Sequence, residues 1–128
     1  MNIEGNKVII NKPKAEVVTF LTKMENFGQL MPENTKFEVL GEDIFLFGLK
    51  GMPEIKLKLK EHSEDKVVLG AASDKLPFTL TANLTEIDAT KTETSLSFEG
   101  QFNAMMAMMV KGPITKFVGQ LSEKLGAI

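Results

Sequence analysis

The chain contains no cysteine, tryptophan or tyrosine, and all 15 of its basic residues are lysines, so arginine is missing as well. Each absence removes a chemistry. Without cysteine there is no disulfide, no thiolate nucleophile and no thiolate-ligated metal. Without arginine there is no planar fork to hold a phosphate or carboxylate through two parallel hydrogen bonds. Without tyrosine there is no phenol to serve as acid or donor. A single histidine, His62, cannot build a histidine-rich metal centre. No stretch approaches the ~20 apolar residues of a membrane span, and the opening MNIEGNKVII lacks the basic, long-apolar, small-residue order of a signal peptide. A cytoplasmic protein is therefore expected. A formal net charge of −2 argues against an electrostatic partnership with nucleic acid.

What remains is ordinary in amount and specific in pattern. With 128 residues, 43% of them apolar, the chain reads as one domain, 1–128, that needs neither disulfide nor metal to hold its core. Its organising stretch is the last quarter, NAMMAMMVKGPITKFVGQLSEKLG, from Asn103 to Gly126. Asparagine is a good N-cap and glycine a usual residue just past a helix end, so one long helix is expected between them. Met106, Val110, Ile114, Phe117, Leu121 and Leu125 recur at steps of three and four and draw one apolar stripe along it. Met105 and Met108 lie off that stripe. Gly112-Pro113 should bend the helix, because proline lacks the donor and crowds the preceding turn.

Upstream, residues 2–10 read as a strand with Val8 and Ile10 on one face and Ile3 and Ile9 on the other. Pro13 opens a helix carrying Val17, Phe20, Leu21 and Met24 on one side. A second short helical turn holds Phe27, Leu30 and Met31. Strands are then expected over 35–40, 43–49, 54–61, 66–72, 78–87 and 92–102. In the third of these Ile55, Leu57 and Leu59 alternate with Lys56, Lys58 and Lys60, the mark of a half-buried antiparallel strand with a solvated lysine face. Gly70 and Gly100 inside strands are expected to mark bulges or strong curvature. Strand, two short helices, six strands and one long helix make an α+β fold. About seven antiparallel strands curve round the C-terminal helix as their cover.

That layout resembles the START-like superfamily of helix-grip proteins, which includes Bet v 1-like, polyketide cyclase/dehydrase-like and CoxG-like proteins. The resemblance is carried by the opening VIINKPKAEVVTFLTKMENFGQLMP and the closing FEGQFNAMMAMMVKGPITKFVGQLSEKL, and it covers essentially the whole chain. It implies a small bacterial protein with a cavity between sheet and long helix that holds lipid-like, polyketide-like or other apolar molecules. It implies no single activity. Cyclase members of the superfamily use Arg, Tyr, His or Trp in the pocket, and this chain lacks three of those types.

The expected cavity is lined from the sheet by Phe47, Leu57, Leu80 and Phe98, and from the helix by Met106, Met109 and Val110. Three neighbouring connections at one end of the sheet are unusually apolar, which points to a rim made by Met52, Leu76, Met105 and Met108, shared with Phe27 and Met31. For Met105 and Met108 a pure core role fits less well, and a pocket mouth, contact with the short-helix pair and a dimer face are the alternatives. His62 sits in a turn beside Ser63 and Glu64, and the pairs Glu42-Asp43 and Glu64-Asp65 read as solvated caps, so no catalytic, metal or cofactor residue is assigned. Binding of an apolar small molecule is the leading expectation. A cyclase/dehydrase-type enzyme and a ligand-free interaction module are the alternatives, with the oligomeric state left between monomer and weak dimer.

Overall fold

The computed structural model describes residues 2–31, 35–48, 54–72 and 78–128. Eight strands form one curved, open antiparallel sheet: β1 Asn2–Glu4, β2 Val8–Ile10, β3 Lys36–Val39, β4 Ile44–Gly48, β5 Ile55–His62, β6 Lys66–Ala71, β7 Phe78–Asp88 and β8 Lys91–Gly100. From β3 to β8 the strands follow one another as a meander, and β1 and β2 then pair with the far side of β8. Between β2 and β3 lie a helix, α1 Lys14–Leu21, and a 3-10 helix, Met24–Gln29. The long helix α2, Ala104–Leu125, closes the chain and packs over β8, β1 and β2.

Alternation decides which face is buried. Phe45 and Phe47, Ile55 and Leu57, Val67 and Leu69, Phe78 to Leu84 at every second residue, and Leu96 and Phe98 all point to the concave side. Lys56, Lys58 and Lys60 point outward and are exposed. Both glycines expected to mark bulges or curvature sit in regular register, while the register shifts fall on β5 between Leu59 and Glu61 and on β7 between Glu86 and Asp88. A Cβ on Gly70 would lie 2.8 Å from the Lys60 stem, so the missing side chain gives the displaced lysine its room.

The first strand departs from the expected single run. It breaks at Gly5-Asn6-Lys7, and the break shifts the alternation, so that Ile3 and Ile10 are both buried while Ile9 is exposed. The cause is the approach of α2: a Cβ on Gly5 would lie 2.6 Å from Ser122 Oγ and 3.0 Å from Val118. Gly5 instead donates its N–H to Leu96 O at 2.8 Å.

The helix α2 begins where its cap predicts, with Asn103 Oδ1 accepting from Met106 N at 2.8 Å. It runs through Pro113 and ends on Gly126, which stays in the right-handed region, φ −66°, and not in the left-handed conformation of the usual glycine stop. Val110, Ile114, Phe117, Val118, Leu121 and Leu125 are buried, each contributing roughly 1.5–3 kcal/mol of transfer free energy. Met106 is half-buried.

The contact at Gly5 makes a quantitative statement. Gly5→Ala should destabilise by about 1–3 kcal/mol through overpacking. Ser122 Oγ is buried with no hydrogen-bond partner among the described residues, so Ser122→Ala should be neutral or stabilising by up to ~1 kcal/mol and should relieve part of the Gly5→Ala cost. Urea unfolding of both single variants and the double variant measures this directly.

A pH effect follows at the β7–β8 turn. Asp88 accepts from the backbone N–H of Thr90 at 2.8 Å and from its hydroxyl at 3.0 Å, and these bonds, the backbone one foremost, hold its carboxyl below the ordinary aspartate value. A depressed folded-state pKa contributes stability above the unfolded value and loses it as pH falls through the folded one. The Thr90 amide resonance should therefore titrate with a midpoint below that of an unstructured aspartate, and Asp88→Asn should abolish the transition.

Candidate functional site

The concave face of the sheet and the buried stripe of α2 enclose a mainly apolar interior. Two rows of phenylalanine line it. One runs Phe27, Phe45, Phe47, Phe117, with centroid steps of 5.0, 6.1 and 4.9 Å, and takes Phe37 as a side branch at 5.4 Å from Phe45. The other runs Phe78, Phe98, Phe102, with steps of 5.1 and 6.3 Å. Offset or tilted rings at these spacings gain from their quadrupoles beyond simple burial. Leu57, Leu69 and Leu80 lie between the rows on β5, β6 and β7.

Among the described residues no ionisable side chain is buried. The buried polar residues are Thr92, Thr94 and Ser122. Thr92 donates its hydroxyl to Lys12 O at 2.8 Å, and the hydroxyls of Thr94 and Ser122 meet no partner among those residues. The shifted titrations are all at the surface. A hydrogen bond to Asp65 raises Lys14, and one to Glu54 raises Lys36. Nothing described inside the protein can give or take a proton, and no cluster of three His, Asp or Glu is placed to hold a metal ion among the described residues. No described helix is long and apolar enough to cross a membrane.

The residues singled out from the sequence divide cleanly. Phe27, Phe47, Leu57, Leu80, Phe98 and Val110 are buried and face the interior, with Met106 half-buried on the same side of α2. Met31 is buried too, but its carbonyl accepts from Lys124 Nζ at 2.8 Å. Lys124 lies about 28 Å along α2 from Met105 at 1.5 Å per residue. Met31, and Phe27 stacked on Phe45, therefore belong under the C-terminal half of α2 and form no rim with Met105 and Met108.

Met109 needs a correction as well. It is 61% exposed, because it shares the outward face of α2 with Met105, 74% exposed, and Met108, 83% exposed. None of the three lines the interior. Met52 and Leu76 lie outside the described residues. Sequence reasoning passed over Phe78, Phe102 and Phe117 as lining. Phe117 and Phe47 stand 70 positions apart, and only their stacking reveals the pair.

Beneath the C-terminal turns of α2 the core is filled. A pocket of about 10 Å³ there, lined by Leu21, Phe27, Leu30, Leu80, Leu121 and Leu125 among others, has space for one water at most and no polar group to hold it. The opposite end of the interior is framed by the end of β4, the start of β5, the end of β6 and the start of β7, together with Phe98, Phe102 and Met106. The connections 49–53 and 73–77 at that end lie outside the described residues. A separate, open surface groove of about 520 Å³ lies against the start of α1, lined by Pro13, Lys14, Ala15, Val18, His62, Ser63, Glu64 and Glu86. Its charges are solvated, and Lys14 is engaged with Asp65 at 2.7 Å.

This architecture matches solved structures along nearly the whole chain. The KanY protein superimposes with a TM-score of 0.74 at 8% identity, over 99% of this chain and 95% of that one. A START superfamily protein from Mycobacterium smegmatis gives 0.68 at 10% identity, over 98% and 94% of the two chains. The fold is that of the START-like helix-grip proteins. The Zhui aromatase/cyclase from Streptomyces sp. R1128 shares it, with a TM-score of 0.65 at 10% identity over 99% of this chain and 92% of that one. No family model and no curated protein sequence matches the chain.

Burial separates the two sets of helix and sheet residues by their energetic roles. Phe47→Ala should cost about 3–5 kcal/mol, since the ring is 1% exposed and packs between Phe45 and Phe117. A double Met105→Gln, Met108→Gln variant should stay within about 0.5 kcal/mol of the parent. Thermal unfolding of the two variants, monitored by circular dichroism at low protein concentration, reads the contrast.

Proposed function

We propose that the protein binds a neutral apolar small molecule between sheet and α2, at the end where α2 begins. The observation that carries this reading is the second phenylalanine row. It leads from Phe98, 3% exposed, out to Phe102, and Phe102 and Met106 each pack half-buried against the core, so apolar surface runs from the core toward the protein's exterior at that end. Aromatic rings with a flexible thioether at their edge suit a ligand of several carbons, aromatic or branched, and affinity comes from area at roughly 25 cal/mol per Å² before the costs of association.

The START superfamily protein and the aromatase/cyclase with the same fold support a ligand of this class. An enzyme of the cyclase type is the second reading, and the apolar interior weighs against it. A cyclase must move protons, and no acid or base is buried among the described residues.

Binding of an environment-sensitive apolar naphthalene dye tests the proposal. Dye bound in the interior should be lost, by about tenfold or more in affinity, in Met106→Trp, which enlarges a half-buried side chain on the inward side of α2 at an overpacking cost of about 1–3 kcal/mol. Dye affinity unchanged in a folded Met106→Trp protein would refute the site. Native mass spectrometry followed by solvent extraction identifies whatever copurifies.

A further inference from the structure

The first two turns of α2 carry a set of donor atoms that the interior does not use. Met105, Met108 and Met109 are the three most exposed large apolar side chains among the described residues. Met106, between them, is half-buried and packs against the core. The run therefore splits into one methionine that fills space and three that present their thioethers outward. Spacing brings those three together. Met105 and Met108 are three positions apart, Met105 and Met109 four, and such neighbours stand with their Cβ atoms about 5–6 Å apart on one helix face. Every Cα–Cβ bond tilts toward the helix N-terminus, so Met108 and Met109 lean onto the turn that bears Met105. The turns themselves are fixed, because Asn103 Oδ1 accepts from Met106 N at 2.8 Å. Unbranched, flexible side chains can then carry all three sulfurs to a common point.

We propose that Met105, Met108 and Met109 ligate one soft monovalent cation, Cu(I) or its redox-inert analogue Ag(I), through their three thioether sulfurs. The donor set selects the ion. Neutral, polarizable thioethers suit Cu(I), whereas Mg(II) and Ca(II) require oxygen ligands. Oxygen ligands are missing from this part of the helix: no ionisable residue occurs between Glu99 and Lys111, and the one carboxylate on α2, Glu123, lies about 21 Å along the helix from Met109 at 1.5 Å per residue. The positive end of the helix dipole opposes any cation there, so the ion must gain its affinity from bonds to sulfur and not from a field. No stronger soft donor competes within the chain. Cysteine is absent, and the single histidine, His62, is the last residue of β5, in the groove beside α1 and away from the start of α2. A thioether has no proton to lose, so loading releases none and is insensitive to pH, unlike loading of a histidine or cysteine site. The exposure of all three side chains leaves the ion open to exchange with another soft-ligand carrier. The site faces away from the interior and stands independently of the proposed apolar ligand.

Carbon-13 labelling of the methionine methyl groups in the full chain gives each side chain its own NMR signal. Titration with Ag(I) in chloride-free buffer should shift the signals of Met105, Met108 and Met109 in step and saturate at one ion per chain, while the buried Met24 and Met31 and the core-packed Met106 stay in place. Met105→Leu, Met108→Leu and Met109→Leu should each weaken Ag(I) binding by about tenfold or more with little change in melting temperature. Leucine keeps the apolar surface and the helix propensity and removes only the sulfur. Affinity should be equal at both ends of the range from about pH 5 to 8, over which a histidine site titrates. Cu(I), held reduced by ascorbate under nitrogen, should displace Ag(I), and Mg(II) and Ca(II) should not. Ag(I) binding as tight in the triple leucine variant as in the parent overturns the assignment. So does an affinity that falls as His62 is protonated, and so do three methyl signals that titrate independently, no more tightly than methionines in an unstructured peptide.

Discussion

The fold depends on the consecutive placement of β8 and α2. β8 is the strand with most neighbours, pairing with β7 along its whole length and with β1 and β2 on its other side. Only residues 101–103 separate it from α2, so the helix must fold back over the strand it has just left. Asn103 sets the starting turn, and the stripe from Val110 to Leu125 then lies along the concave face. Gly5 makes this packing sterically feasible, since any side chain there would press on Ser122 and Val118. The break between β1 and β2 is thus a consequence of helix packing rather than a local defect of the strand.

The same geometry divides the interior into two ends of different character. Toward the C-terminus of α2, α1 and the 3-10 helix fill the space under the helix, and Lys124 fastens that end to the Met31 carbonyl. A core packed this closely leaves no room for a guest. Toward the N-terminus of α2 no short helix lies among the described residues, and the rings of Phe78, Phe98 and Phe102 lead outward. The ligand reading therefore rests on one end of the molecule. The chemistry there is uniform. With every described ionisable group at the surface, the interior offers shape and dispersion contacts, which suit holding a molecule better than transforming it.

Much of this was legible in the residues alone, and the reason is periodicity. Strict alternation on β5, β7 and β8 and the three-and-four spacing on α2 each report which side of an element meets the core, so the sheet, the long helix and most inward residues follow from pattern. Capping chemistry located the helix start at Asn103 for the same local reason. Errors arose where a residue's position depends on a distant element. Alternation alone sets Ile3 on the face opposite Ile10, and the break at Gly5, which answers to Ser122 and Val118 more than a hundred positions away, brings both inward. Met109 borders the stripe in sequence and so reads as lining, whereas the structure turns it outward with Met105 and Met108. Phe27 and Met31 share an apolar character with the start of α2 but lie beneath its end.

The sequence by itself determined the elements, their amphipathic faces, the apolar nature of the enclosed space and the chemistries that the missing residue types exclude. Tertiary structure alone decided which end of that space is filled, which rings stack across it, and that Met109 turns outward with Met105 and Met108. The physical reason is range. Propensity, alternation and capping act within a few residues and leave their mark on the local pattern. Packing joins side chains 70 or more positions apart, such as Phe47 and Phe117, and leaves no local trace of which pairs will meet.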